Sequence, residues 1–266
     1  MALKSGLAAQ VGLKTESTWG TAVTVDRFTP LISESMTEKI DRLESAGIAT
    51  GARVLRSGQW ATGNVEVSGD LGFELYQQGM GLWFRHMFGA VSTSGAGPYT
   101  HTFTPGDLTD DHFTLQIGKP DVGGTVQPFT YAGCKVTEWE LAAKAGELVT
   151  LGVSVVGRDL ATATSLATAA YGTGSGLPFS FAHASVTVGG SAAYVKEITL
   201  KGSNGLAVDR RGIGSAYIKE PLEAELASLC KKAGIAALLE SDRPRAIEQF
   251  RAARRSEERR VGKECR

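Results

Sequence analysis

The side chains able to do chemistry are few and scattered. Four histidines stand at His86, His101, His112 and His183. His101 and His112 flank Asp107, Asp110 and Asp111, a donor set that could in principle hold a divalent cation. A zinc site needs at least one close ligand pair held by oriented neighbours, and no spacing here supplies one. The run DLTDD at 107–111 lacks the alternating ligands, central glycine and closing glutamate of a calcium loop, and reads as a solvated turn. GTGSG at 172–176 has the glycine content of a phosphate loop. Such a loop needs a strand before it and a helix after it, so that backbone N–H groups meet the phosphate. Here Leu177-Pro178 and a strand-like stretch follow, so GTGSG reads as a linker. No serine sits in a GxSxG elbow, and no nucleophile–base pair or facing carboxylates can be assembled. Cys134, Cys230 and Cys265 are odd in number and widely spaced, which argues against a disulfide framework and for a reducing compartment. The expectation is a protein that is not an enzyme and uses no cofactor or metal.

The bulk numbers are ordinary for a globular protein. The 266 residues are 42% hydrophobic and 21% charged, with 33 glycines against 8 prolines, a balance that suits a turn-rich β protein. The formal charge is zero, which favours neither nucleic acid nor anionic membrane as a direct partner. No run reaches the roughly 18 apolar residues of a membrane span. The N-terminus, broken by Lys4, Ser5, Gln10 and Lys14, has no signal-peptide core.

Residues 130–159 are the most legible stretch. They read as two strands joined by a tight turn at Ala145-Gly146. The second strand sets Val149, Leu151, Val153 and Val155 on one face and Thr150, Gly152 and Ser154 on the other, the period of a half-buried antiparallel strand. On the first strand Glu138 and Glu140 share a face, either as a wet sheet surface or as an acidic one that repels anions. Residues 64–75 alternate in the same way through Val65, Val67, Leu71, Phe73 and Leu75. The period then turns helical, predicting a helix over 74–88 with Leu75, Met80, Trp83, Phe84, Met87 and Phe88 near helical spacing and Gly89 as its stop. Residues 31–62 show little periodicity and read as a long connection whose section 43–62, with Arg53, Arg56 and Trp60, is a docking loop. From Tyr99 onward short strands return: YTHTF, HFTLQIG, FSFAHASVTV, YVKEITL and LEAEL. Residues 161–178 read as an exposed crossover loop, and a second helix is expected over 227–239. The fold class is mainly β, a sandwich or barrel of antiparallel strands with one or two flanking α-helices.

The last twelve residues, RSEERRVGKECR, match the translation of a common sequencing adapter. Residues 255–266 are therefore read as an artefactual tail on a truncated gene, and residues 1–254 as one β domain. Setting aside the tail's five basic and three acidic residues leaves 23 basic against 25 acidic, a body of about −2.

An ordered set of segments resembles the tail tube proteins of long-tailed bacteriophages. It comprises VGLKTESTWGTAVTVDRFTPLISESM, the segment 44–75, the helix ending in FGA, YTHTFTPGDL with FTLQIG, YAGCKVTEWELAAKAGELVTLGVSVVGRD, and NGLAVDRRGIGS. The likeness runs over most of residues 10–225. It implies a tail-tube-like β-sandwich that forms rings, usually hexameric, stacked into a tube that conducts viral DNA. It also implies an acidic inner wall along which DNA passes without specific binding. Partners would be further copies of the chain and other tail proteins (tape measure, terminator, tip), with no membrane. The protein would reside in the virion tail and be assembled in the bacterial host cytoplasm. Glu138 and Glu140 are the candidate lumen-facing acids; Arg53, Arg56 and Trp60 are the candidate ring-stacking residues. A different class stays open: a carbohydrate-binding or adhesion module of a tail tip, with Trp60 and Trp139 as candidate platforms. A β-rich hydrolase would need a convergent nucleophile and base, which the sequence does not offer.

Overall fold

A computed structural model describes residues 8–47, 57–171 and 176–223. The expected second helix, the adapter-like tail, Arg53, Arg56 and most of GTGSG lie outside these residues. Residues up to Leu222 belong to one compact unit.

The unit is built on one hydrogen-bonded antiparallel sheet folded over on itself. In chain order come β1 (Gln10–Thr15), β2 (Arg27–Phe28), β3 (Ser33–Glu34), β4 (Thr37–Glu44), β5 (Trp60–Glu74) and α1 (Gly81–Phe88). Then follow β6 (Gly89–Ser94), β7 (Thr100–Pro105), β8 (Phe113–Pro120), β9 (Val126–Lys144), β10 (Thr150–Gly157) and β11 (Asp159–Ala161). Two short strands, β12 (Thr187–Val188) and β13 (Ser191–Ala192), pair with each other, and β14 (Glu197–Ser203) returns to the main sheet. The main path runs β2-β1-β8-β9-β10-β5-β3, with β14 and β11 also on β9 and β4 also on β5.

The fold-over happens inside β9. Its first half pairs with β8 and β11, and its second half with β10 and β14. Register shifts mark the bend, one between Phe113 and Leu115 opposite β9 and one between Ser154 and Val155, as expected where a bulge bends and twists a strand. Gly133 sits at this bend with φ +62°, and a Cβ there would lie 3.0 Å from the Arg158 side chain, so the corner leaves no room for a larger residue. The expected β9–β10 turn is present. The Glu147 N–H donates to the Lys144 carbonyl at 3.0 Å, and Gly146 takes φ +88°.

The apolar rows meet between the two halves. Val65, Val67, Leu71 and Phe73 of β5 and Leu151, Val153 and Val155 of β10 are buried against Val11, Leu13, Phe113, Leu115 and Ile117 of β1 and β8. Tyr131 joins them, its hydroxyl donating to the Met36 carbonyl at 3.1 Å, and burial raises its phenol above the ordinary range. Cys134 is fully buried, and desolvation pushes its thiol well up, so it is a core hydrophobe.

Three expectations are corrected. The helix covers only Gly81–Phe88, with Trp83, His86 and Met87 buried on one face. Leu75 to Gln77 stay extended because the Leu75 N–H donates to Val149 and the Gln77 N–H to Leu177, so sheet pairing overrides helical spacing. Residues 31–62 are not a structureless connection. β3, β4 and the start of β5 fall within them, and β4 ladders on β5 from Thr37↔Ser68 to Glu44↔Trp60. FSFAHASVTV is not one strand either. Phe181–His183 is a 3₁₀ turn capped by Ser180, and only Thr187–Val188 is extended into a pair. No described helix is long and apolar enough to cross a membrane.

Candidate functional site

The core-facing rows force their neighbours onto the opposite face of the β5–β10–β9–β14 layer. That face is acidic and otherwise small. Asp70 lies opposite Ser154, which lies opposite Glu138, which lies opposite Ser203. The next row runs Gly72, Gly152, Glu140 and Lys201, and the one beyond it Glu74, Thr150, Ala142 and Thr199. Glu66 extends the acidic line along β5. Every residue in these rows is exposed or half-buried. The middle of the face is a shallow depression of about 510 Å³ bordered by Asp70, Glu138, Glu140 and Lys201. Ser154 Oγ donates to Asp70 at 2.6 Å, and Lys201 Nζ sits 2.7 Å from Glu140, which raises the ammonium above its ordinary value. This salt bridge is open to solvent and is weakened by salt.

Among the described residues, neither the outer side of β14 nor that of β4 carries a strand partner. An unpaired strand edge presents backbone N–H and C=O groups that can pair with a further strand. The far end of β4 and the start of β5 form a two-stranded arm, with the Ser45 N–H donating to the Gln59 carbonyl at 2.7 Å just past their paired ends. Trp60 lies at its described end, 45% exposed, with the Arg42 guanidinium 5.0 Å over its ring. Leu43 and Ile40 on the same arm are more than half exposed. Trp139, by contrast, packs against Phe88 of α1 with ring centroids 5.2 Å apart and covers Gly202.

A buried polar network escaped the sequence reading. Glu16 is sealed in the core and accepts from Thr114 Oγ, the Gly133 and Gly20 N–H groups, and His112 Nδ1, at 2.8 to 3.1 Å. Lys135 is 2% exposed; its ammonium reaches the carbonyls of Leu108 (2.6 Å) and Pro221 (3.1 Å) and the Glu220 carboxylate (2.7 Å). His86 bridges Thr15 Oγ at 3.2 Å and Asp111 at 3.1 Å. Thr15, His86 and Asp111 line up like a nucleophile relay, but His86 and Asp111 are almost wholly buried and the relay ties β1 to α1 and to the loop before β8. Ligand atoms of Asp110, His112 and Glu220 lie within 4.8 Å of one another, and the Lys135 ammonium already supplies the cation against Glu220. His101 takes no part: it bonds Thr93 on the β6–β7 ribbon. These groups come from positions far apart in the chain and are of common types, so no local signal could have joined them.

Residues 6–227 match the family model described as "Phage tail tube protein". The chain belongs to the phage tail tube protein family. Its role is therefore that of a structural component of the virion tail. A solved chain titled "Structure of a type six secretion system protein" is similar at 8% identity with a TM-score of 0.26, covering 57% of this chain and 82% of that one. No curated protein matches the chain. The phage tail tube family is a family of structural proteins. The core network above serves to hold loops against the sheet.

Proposed function

We propose that the protein is the repeating subunit of a tail tube. Copies close into rings, taken as hexameric, and the rings stack into a conduit for DNA ejection. The observation that carries this reading is the acidic, small-residue face on a sheet whose two edges, β14 and β4, carry no further strand among the described residues. Edge pairing between neighbours would make one continuous wall, and cyclic closure removes the edges. With Glu138 and Glu140 turned to the bore, that wall repels phosphate instead of releasing counterions to bind it. The arm, with Trp60 and its neighbours Arg53 and Arg56 in the sequence, makes the contact between rings. Assembly takes place in the host cytoplasm with the tape measure, terminator and tip proteins as further partners, and DNA passes without specific contacts.

Charge reversal at Glu138→Lys and Glu140→Lys tests the bore assignment. Both side chains are exposed or half-buried, so melting temperature should stay within a few degrees of wild type. Tubes should form, yet ejection from particles carrying the variant should slow and become salt-dependent. Unchanged ejection kinetics at low salt would remove these acids from the bore.

A further inference from the structure

The loop before β8 and the segment before Leu222 are far apart in the chain, yet the fold brings three metal-ligating side chains from them together. Asp110, His112 and Glu220 each offer a ligand atom within 4.8 Å of the other two. That is close to the span of one coordination sphere, in which imidazole and carboxylate ligands sit about 2.0–2.2 Å from the ion. His112 and Glu220 are buried, while Asp110 is exposed and gives an ion a way in from solvent.

His112 is held as metal-binding imidazoles are held. Its Nδ1 meets the Glu16 carboxylate at 3.1 Å, and Glu16 is itself fixed by Thr114 Oγ and by the Gly20 and Gly133 N–H groups. Trp19 packs edge-on against the imidazole, with ring centroids 5.5 Å apart. With Nδ1–H donated to the carboxylate, the ring's lone pair lies on Nε2. Among the described residues no hydrogen bond reaches that nitrogen. A carboxylate behind a histidine sets the tautomer and the ring orientation that a metal ligand needs.

We propose that Asp110, His112 Nε2 and Glu220 form a binding site for a divalent transition metal of the zinc class. One imidazole with two carboxylates suits zinc and its neighbours, whereas calcium and magnesium take oxygen ligands. Lys135 does not close the site. Its ammonium and the Asp110 N–H both meet Glu220 at Oε1, each at 2.7 Å, and a carboxylate carries lone pairs on two oxygens. Lys135, with the Arg210 guanidinium that donates to the Glu220 carbonyl, makes the site less anionic and its affinity moderate. Three protein ligands are present among the described residues, so water completes the sphere. The ion fastens the segment before Leu222 to the loop that leads into β8, alongside the Lys135–Glu220 pair. The site asks nothing of ring or tube formation, so it stands or falls apart from the tube reading.

The test uses the full, untagged chain stripped of metal by a chelator. Zinc at about a hundredfold above its Kd should raise the melting temperature by about 5–10 °C. Calcium or magnesium at the same concentration should leave it unchanged. Asp110→Gly removes the exposed ligand and suits the local backbone, where Asp110 has φ +61°. In calorimetric titrations it should weaken zinc binding at least tenfold. Its metal-free melting temperature should stay within a few degrees of the parent's. Replacing His112 would also disturb Glu16, so its role is read in the parent: X-ray absorption of the zinc-loaded chain should show one imidazole and otherwise oxygen ligands. A parent without a zinc-dependent shift, equal zinc affinity in Asp110→Gly, or a sulfur ligand on the zinc would overturn the site. A shift of the same size with calcium would do so too.

Discussion

Trp83→Ala should destabilise the protein by about 3–5 kcal/mol, the cost of truncating a large aromatic in a core that relaxes only partly. Trp83 is fully buried on α1 and packs against Phe73 of β5 at 4.9 Å and Phe113 of β8 at 5.8 Å between ring centroids. It therefore joins the two halves of the folded-over sheet. Its indole N–H donates to Thr29 Oγ at 3.1 Å, and truncation also leaves that buried hydroxyl without its donor. A loss of this size is a third or more of a typical domain's stability, and the melting temperature should fall by on the order of 10 °C. Trp83→Phe keeps most of the volume but loses the hydrogen bond, so its cost should be about 1–2 kcal/mol. Denaturant melts of the three proteins check both figures. A loss below 1 kcal/mol for Trp83→Ala would mean that α1 does not close the core.

The second large effect is expected at Lys135. Its ammonium has three acceptors, one of them the Glu220 carboxylate, and both side chains are at most 5% exposed. Removing one member of a buried pair costs about 3–5 kcal/mol, because the remaining charge keeps its desolvation penalty without its counter-charge. Lys135→Met should show that loss. The double variant Lys135→Met, Glu220→Leu should recover most of it, since an apolar pair of similar volume restores packing without a buried charge. The pair fastens the segment before Leu222 to the β9 bend. Limited proteolysis should therefore cut near residues 209–221 faster in the single variant than in the double. Equal loss in both would show that shape at this site, and not charge, holds the segment.

The parts of the fold that could be read from the sequence are those with one wet and one dry face. Val149, Leu151, Val153 and Val155 are all buried, at 1–7% exposure, as their alternation requires. Glu138 and Glu140 do share a face, despite a register shift nearby, because the shift falls between Val155 and Ser154, before both of them. The arm was illegible because β4 is wet on both faces. Ile40 and Leu43 are as exposed as Lys39 and Arg42, so no period appears in their pattern. The helical spacing overshoots the start of the helix because Leu75 and Met80 satisfy it while serving a strand end and a helix cap. The Glu16–His112 and Lys135–Glu220 contacts span 96 and 85 residues, and only the folded register brings them together.

The most direct test of the account is a cryo-electron-microscopy reconstruction of the purified chain at high concentration. The account predicts rings or tubes whose bore is lined by the β5–β10–β9–β14 face, with Asp70, Glu138 and Glu140 pointing to the axis. A chain that stays monomeric, or a tube that turns this face outward, would contradict it.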